Sequence, residues 1–479
     1  MTQHIMSRRR FLRNSALSTA IPGISLEAFA QTTLANRVEW QTFKTTSGYD
    51  SLLDAIQKMK ANTNSSDPNS WNYWTNVHIN HCPHGTPYFL AWHRGYLYYF
   101  ERRLRAVSGN SGLVLPYWDY YSYASIPEEF TNATSGNPLY VERLNTNVRQ
   151  ALTMAPFSSS VINFQRGSSN AFEASVENAP HNPVHDIIGN VMSTMNSPVD
   201  PIFWLHHANV DRLWVAWVTA GGGRKMPSKY NSYWSSVHVY SNTLSLARRS
   251  TYDTRTNLKY LYEKETFPTA LPVAQVSGNR FARVQAGASD QMRSLPPTGS
   301  FKLSGPMATA DGGFSLGGVK NVGLDRRSVT AQLPVNAEHW AALQEIARGN
   351  TASIRGSSLK FKSAFLVLGD VEISQAGENG GYFYQVYLNV PAEKSGFIRP
   401  ESLLLGTLGP FQIRGASHHG HGHAQLRYPI GKLLREASSL RLGMVSVSFV
   451  RIDGDKSPDG PVIGIGEARL ELSSSDLES

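Results

Sequence analysis

Fifteen histidines in 479 residues would be unremarkable if they were scattered, but eight of them form two compact groups. His78, His81, His84 and His93 lie within 16 residues, and His181, His185, His206 and His207 within 27. Each group adjoins a stretch with helical periodicity, the arrangement by which helix bundles assemble metal sites from facing helices. His181 and His185 are four residues apart, which puts both imidazoles on one helix face. Pro183 between them requires that the helix begin there. A third ligand would come from His206 or His207. Three imidazoles per site suit copper, zinc, iron or nickel, and spacing alone does not choose among them. A single histidine is more often a hydrogen-bonded core or surface residue than a ligand. Two trios with helical phasing reverse that expectation and point to a dinuclear centre.

The pattern around the histidines predicts an α+β multidomain chain. Apolar positions at helical spacing mark 49–60, 94–105, 184–195 and 209–218 as helices, so 31–265 reads as a mainly α catalytic domain with a helical bundle. Prolines and glycines then dominate 266–325, a linker. Period-2 runs at 361–373, 382–390, 441–452 and 462–472, separated by Gly- and Asn-rich turns, make 326–472 an antiparallel β C-terminal domain. Residues 473–479 read as a disordered tail.

Composition narrows the context. The only cysteine, Cys82, rules out an intrachain disulfide framework. The net charge is +9, of which four Arg and one Glu in residues 1–30 supply +3, leaving +6 for the rest. Those charges are of mixed sign with no basic tract interleaved with aromatics, so nucleic acid is not an expected partner. Arg8, Arg9 and Arg10 precede Phe11 and Leu12, a short apolar stretch and the small-x-small site Ala28-Phe29-Ala30. That order reads as a cleaved signal of twin-arginine type, with its export machinery as partner and a periplasmic or secreted destination. The apolar stretch is too short to span a membrane. Oligomeric state has no signature here.

Two long motifs carry a resemblance. The run 84–101, with His84, Pro87, Phe89, Trp92, His93, Arg94 and Glu101, resembles the copper-A signature of tyrosinases. The run 200–214, with Asp200, Pro201, Phe203, Trp204, His206, His207, Asp211 and Arg212, resembles their copper-B signature. The resemblance to the tyrosinase/polyphenol oxidase family implies a type 3 pair of copper ions. His78, His84 and His93 would hold copper A, with His81 close by, and His181, His185 and His207 copper B. It implies a phenol oxidase using O2 to convert o-diphenols, and monophenols by hydroxylation, to o-quinones. Catechol oxidase, o-aminophenol oxidase and a haemocyanin-like oxygen binder share the same site. In related enzymes an Asn and a Glu placed like Asn182 and Glu177 hold a water that deprotonates monophenols, with Glu173 as the reserve. Asn182 can equally cap a helix. The Cys82-x-His84 spacing resembles the thioether crosslink of some tyrosinases; a free buried cysteine is the plain alternative. Asp211 would orient part of its helix or simply pair with an Arg. The C-terminal strands are similar to the β-domain of plant polyphenol oxidases, which lies over the copper site and restricts access. The run His418, His419, His421, His423 reads as an exposed polar loop with copper capture as its alternative.

Overall fold

The computed structural model describes residues 34–272, 302–309, 312–394, 397–419, 424–436 and 445–475. The expected signal (1–30), most of the expected linker and His421 and His423 of the histidine run lie outside them.

The first half is helical, as its periodicity predicts. Helix α1 (Gly48–Ala61) buries Leu52, Ala55, Ile56 and Met59, one stripe at i, i+3, i+4 and i+7. Helix α2 (Trp71–His81) follows. Helix α3 (Phe89–Ser108) starts five residues earlier than expected and ends at Gly109, whose φ of +72° supplies the left-handed turn that closes a helix. The short α4 (Phe172–Val176) and α5 (Asn182–Ile188) carry the middle of the chain, with Pro183 in the first turn of α5. Helix α6 (Ile202–Thr219) begins seven residues before the apolar stripe suggested, and His206 and His207 lie inside it rather than ahead of it. Asp200 explains the earlier start: its Oδ1 accepts from Ile202 N at 2.9 Å, and Arg143 holds the same carboxylate at 2.6 and 2.7 Å. All these helices share one aromatic-rich core. None of the described helices is long and apolar enough to cross a membrane.

The second half is built on two antiparallel sheets with their own core. Strands β1 (Gly313–Leu324), β2 (Val329–Leu333), β3 (Ser363–Ile373), β4 (Tyr382–Lys394), β5 (Phe397–Leu408), β6 (Ala424–Pro429), β7 (Val445–Asp453) and β8 (Ile463–Ser473) pair in the orders β5-β4-β7-β2 and β6-β3-β8-β1. Three corrections follow. The linker does not extend to 325, because β1 pairs with β8 from Gly313 to Leu324 and buries Leu316, Val319, Val322 and Leu324. Its glycines disguised it. Gly318 is required, since a Cβ there would lie 2.2 Å from Ala468 O across the sheet. The tail is also shorter than expected, as Ser473 closes β8 and Ser363 Oγ donates to Ser475 O. The β-domain further carries helices α7 (Ala337–Ala347) and α8 (Pro410–His419). His418 and His419 end α8, so the histidine run starts as helix and not as loop.

Candidate metal centre

Two histidine clusters that could bind two copper ions meet at the centre of the helical half. His78 comes from α2, His84 from the α2–α3 loop and His93 from one turn into α3. His181 immediately precedes α5, His185 lies one turn into it, and His207 comes from α6. All six are buried. The ligand atoms of His78, Cys82, His84 and His93 lie within 4.8 Å of one another, and so do those of His181, His185, His206 and His207. His81 belongs to neither group among the described residues. The clusters share one cage: the His93 and His207 rings stack at 4.2 Å and 15°.

Hydrogen bonds fix which nitrogen five of the six rings present, while His207 Nδ1 is buried without a hydrogen-bond partner. His78 Nδ1 faces Met195 O at 2.9 Å, His93 Nδ1 faces Phe89 O at 2.8 Å, and His185 Nδ1 faces Met192 O at 2.8 Å. A carbonyl only accepts, so each Nδ1 carries the proton and each Nε2 an inward lone pair. His84 Nδ1 faces Glu177 Oε1 at 3.4 Å and His181 Nδ1 faces Asn182 Oδ1 at 2.8 Å, with the same consequence. His78 and His84 then point lone pair at lone pair across 3.3 Å, and His181 Nε2 lies 3.3 Å from His207 Nε2. His185 Nε2 is buried without a partner. The His78–His84 pair repels itself unless a cation sits between the nitrogens, and His185 leaves an inward lone pair with no donor, so the residues present fit a metal pair. Burial lowers the pKa of His78, His93, His181, His185 and His207 well below the ordinary value, keeping the rings in the neutral form a metal needs. His206 is lowered to about 3 by burial, and neither of its nitrogens has a partner.

Around the ligands, Cys82 is buried outside any disulfide, and its Sγ lies 3.4 Å from His93 Nε2. Burial raises its pKa well above the usual range, so it stays a thiol. Glu177 is buried and takes Gly85 N at 2.8 Å and the Arg166 guanidinium. Burial pushes its pKa up, but Arg166 and His84 outweigh that and leave it below the ordinary value. Glu173, one turn earlier, accepts from Leu90 N and from Arg166 N. Asp211 pairs with Arg94 at 2.6 Å and accepts from the Tyr260 and Tyr262 hydroxyls, both at 2.6 Å. It therefore ties α6 to the helix that carries His93, so the pairing and orienting readings coincide.

The β-domain reaches into the cage. Phe411, in the first turn of α8, stacks on His185 at 3.9 Å and 14° and meets His84 edge-on at 5.0 Å. Asp186, next to His185, accepts from Phe411 N at 2.8 Å, and a Cβ on Gly409 would lie 2.0 Å from its Oδ2. Burial pushes the Asp186 carboxyl up to about 8. Beside Phe411, a cavity of about 660 Å³ is bordered by His84, Arg166, Glu177, Asn182 and Lys432. Sequence reasoning missed Arg166, Asp186 and Phe411, because each is tied to the site by a contact with a residue elsewhere in the chain and belongs to neither copper signature.

The model of the common central domain of tyrosinase matches residues 53–171 and 131–220, a span that includes all six candidate ligands. A tyrosinase of Hahella sp. is 36% identical over 185 residues, 31% of this chain and 40% of that protein. The latent polyphenol oxidase of Prunus armeniaca is 26% identical over 258 residues, 44% of this chain and 43% of its own length. The chain thus spans less than half the length of these curated relatives. Among solved structures, latent apple tyrosinase overlays 92% of this chain and 98% of its own at 20% identity, with a TM-score of 0.49.

Proposed function

This chain belongs to the tyrosinase family of type 3 copper proteins, and we propose from that premise that it is a phenol oxidase converting o-diphenols to o-quinones with O2. Two copper ions would supply O2 binding and the two-electron oxidation. His78, His84 and His93 would hold one, and His181, His185 and His207 the other. The observation that carries the substrate class is Phe411: the cage takes a benzene ring of its own chain, stacked on His185. A phenol ring entering after Phe411 leaves would use the same face.

The remaining side chains divide the work. Neutral imidazoles leave the metals' charge uncompensated, which favours a phenolate oxygen at the centre. Phe203, 4.2 Å from His207, and Phe89, 4.6 Å from His181, help to keep water out. Glu177 and Asn182 border the same cavity, and a water between them would take the proton of a monophenol, so the proposal includes monophenol hydroxylation. A Cys82–His84 thioether also belongs to it: the two residues' ligand atoms lie within 4.8 Å, and forming the bond removes two hydrogens with O2 as oxidant. Intact mass would show that loss of two hydrogens. The β-domain would act as a shield, with Phe411 as its plug, and the Arg8–Arg10 signal supports export.

Oxygen uptake by copper-loaded protein, before and after limited proteolysis, tests the activity. Uptake with an o-diphenol is the expected result, with a monophenol also oxidised after a lag. Uptake with the diphenol alone would make this a catechol oxidase. Reversible O2 binding without turnover in the opened protein would contradict the enzyme reading.

A further inference from the structure

Among the candidate copper-A ligands, His84 is held differently. His78 and His93 sit in helices and have their Nδ1–H groups fixed by backbone carbonyls. His84 lies in a loop, and its Nδ1 faces a side chain, Glu177 Oε1, at 3.4 Å. A carboxylate can rotate, so the Nδ1 side of the ring, opposite any bond to Cys82, is only as well fixed as Glu177 is. Gly85 N fixes Oε1 at 2.8 Å, and the Arg166 guanidinium takes Oε2. Arg166 is itself anchored, since its backbone N donates to Glu173 Oε2 at 3.1 Å while Glu173 Oε1 accepts from Leu90 N at 3.3 Å, in the turn that presents His93.

We propose that Arg166 is a positioning residue for the copper-A half of the centre, acting through Glu177 on the orientation and tautomer of His84. The proposal rests on the dicopper reading above. With both Glu177 oxygens engaged, Nδ1 of His84 is kept as a donor and Nε2 is left for the metal. Charge favours the same pairing: Glu177 is buried, and the Arg166 guanidinium is the side-chain cation its carboxylate meets. The guanidinium side chain is only 14% exposed, and it comes from the Gly- and Ser-rich segment 165–170, where no metal-site signature lies.

Copper retention by the full-length, copper-loaded chain, titrated with a chelator, tests this. Wild type should hold two ions per chain. Arg166→Met should lose one of the two at roughly 10- to 100-fold lower chelator, the usual effect of removing a partner behind a ligand. Arg166→Lys, which keeps the charge, should restore most of the difference. Arg451→Met, which removes a buried guanidinium paired with the exposed Asp453 in the β-domain, controls for lost stability and should leave copper retention unchanged at a comparable drop in Tm. Should Arg166→Met fail to fold, Glu177→Gln should show the same selective loss. Wild-type retention of both ions in Arg166→Met, or in Glu177→Gln when that variant is the one available, would overturn the proposal. A wild-type chain that binds fewer than two ions would fail the parent reading, and the role of Arg166 would fall with it.

Discussion

At the scale of single residues, the account rests on which atoms point inward. Six Nε2 atoms converge because hydrogen bonds or packing hold the other side of each ring, and removing one ring opens a three-ligand site. His93→Ala and His207→Ala should each abolish oxygen turnover with an o-diphenol, while full activity in either would refute that ligand. The carboxyls behind the cage make a pH prediction. Burial raises Glu173 from its ordinary 4.5 to about 7. A carboxyl with a raised folded pKa contributes stability that is complete below pH 4.5 and is lost as pH rises through 7. Glu173→Gln should therefore remove that loss, by up to about 3 kcal/mol at pH 8. Urea midpoints at pH 4.5 and 8 measure it, and an unchanged difference between them contradicts the assignment. The grouping of the histidines was legible in the sequence because their spacing is local, and Glu177 was singled out only through the resemblance. Arg166 was not legible, since it is 11 residues from Glu177 in a segment without periodicity.

At the scale of elements, α5 does two jobs. It presents His185 inward, and through Asp186 it takes the first turn of α8. Its start was readable from Pro183, and its partner was not, because the contact joins residues 225 positions apart. The early start of α6 was missed for a related reason: Asp200 acts as its cap with help from Arg143, 57 residues away. Strand β1 was hidden by glycines that lower strand propensity but that close packing against β8 demands. Phe411 gives this scale its prediction. Burying a Phe side chain is worth about 1.5–3 kcal/mol, so Phe411→Ala should shift the docked–undocked balance by roughly 10- to 100-fold. In the full-length chain it should raise o-diphenol turnover by up to that factor without proteolysis. Unchanged turnover, with cleavage still activating, would mean that another contact closes the site.

At the scale of the molecule, two separately cored halves meet over the metal cage. Asn145 exchanges hydrogen bonds with Lys456 at 2.6 and 2.9 Å, Thr407 Oγ1 donates to Asn178 O, and Arg414 donates to Ser193 O. These polar contacts join the same two halves that Phe411 bridges, so the shield is registered on the half that carries the ligands. The α-then-β order was legible from the change of period along the chain, whereas the docking of one half on the other was expected only through the resemblance, because it depends on surfaces and not on pattern. The central claim is that one cage holds two copper ions, each on three histidines. Copper-edge anomalous scattering from crystals of the copper-loaded chain tests it most directly. The account predicts two peaks, one bonded to Nε2 of His78, His84 and His93, the other to Nε2 of His181, His185 and His207. A single peak, or copper bonded to Cys82 or His206 in place of one of those nitrogens, would contradict it.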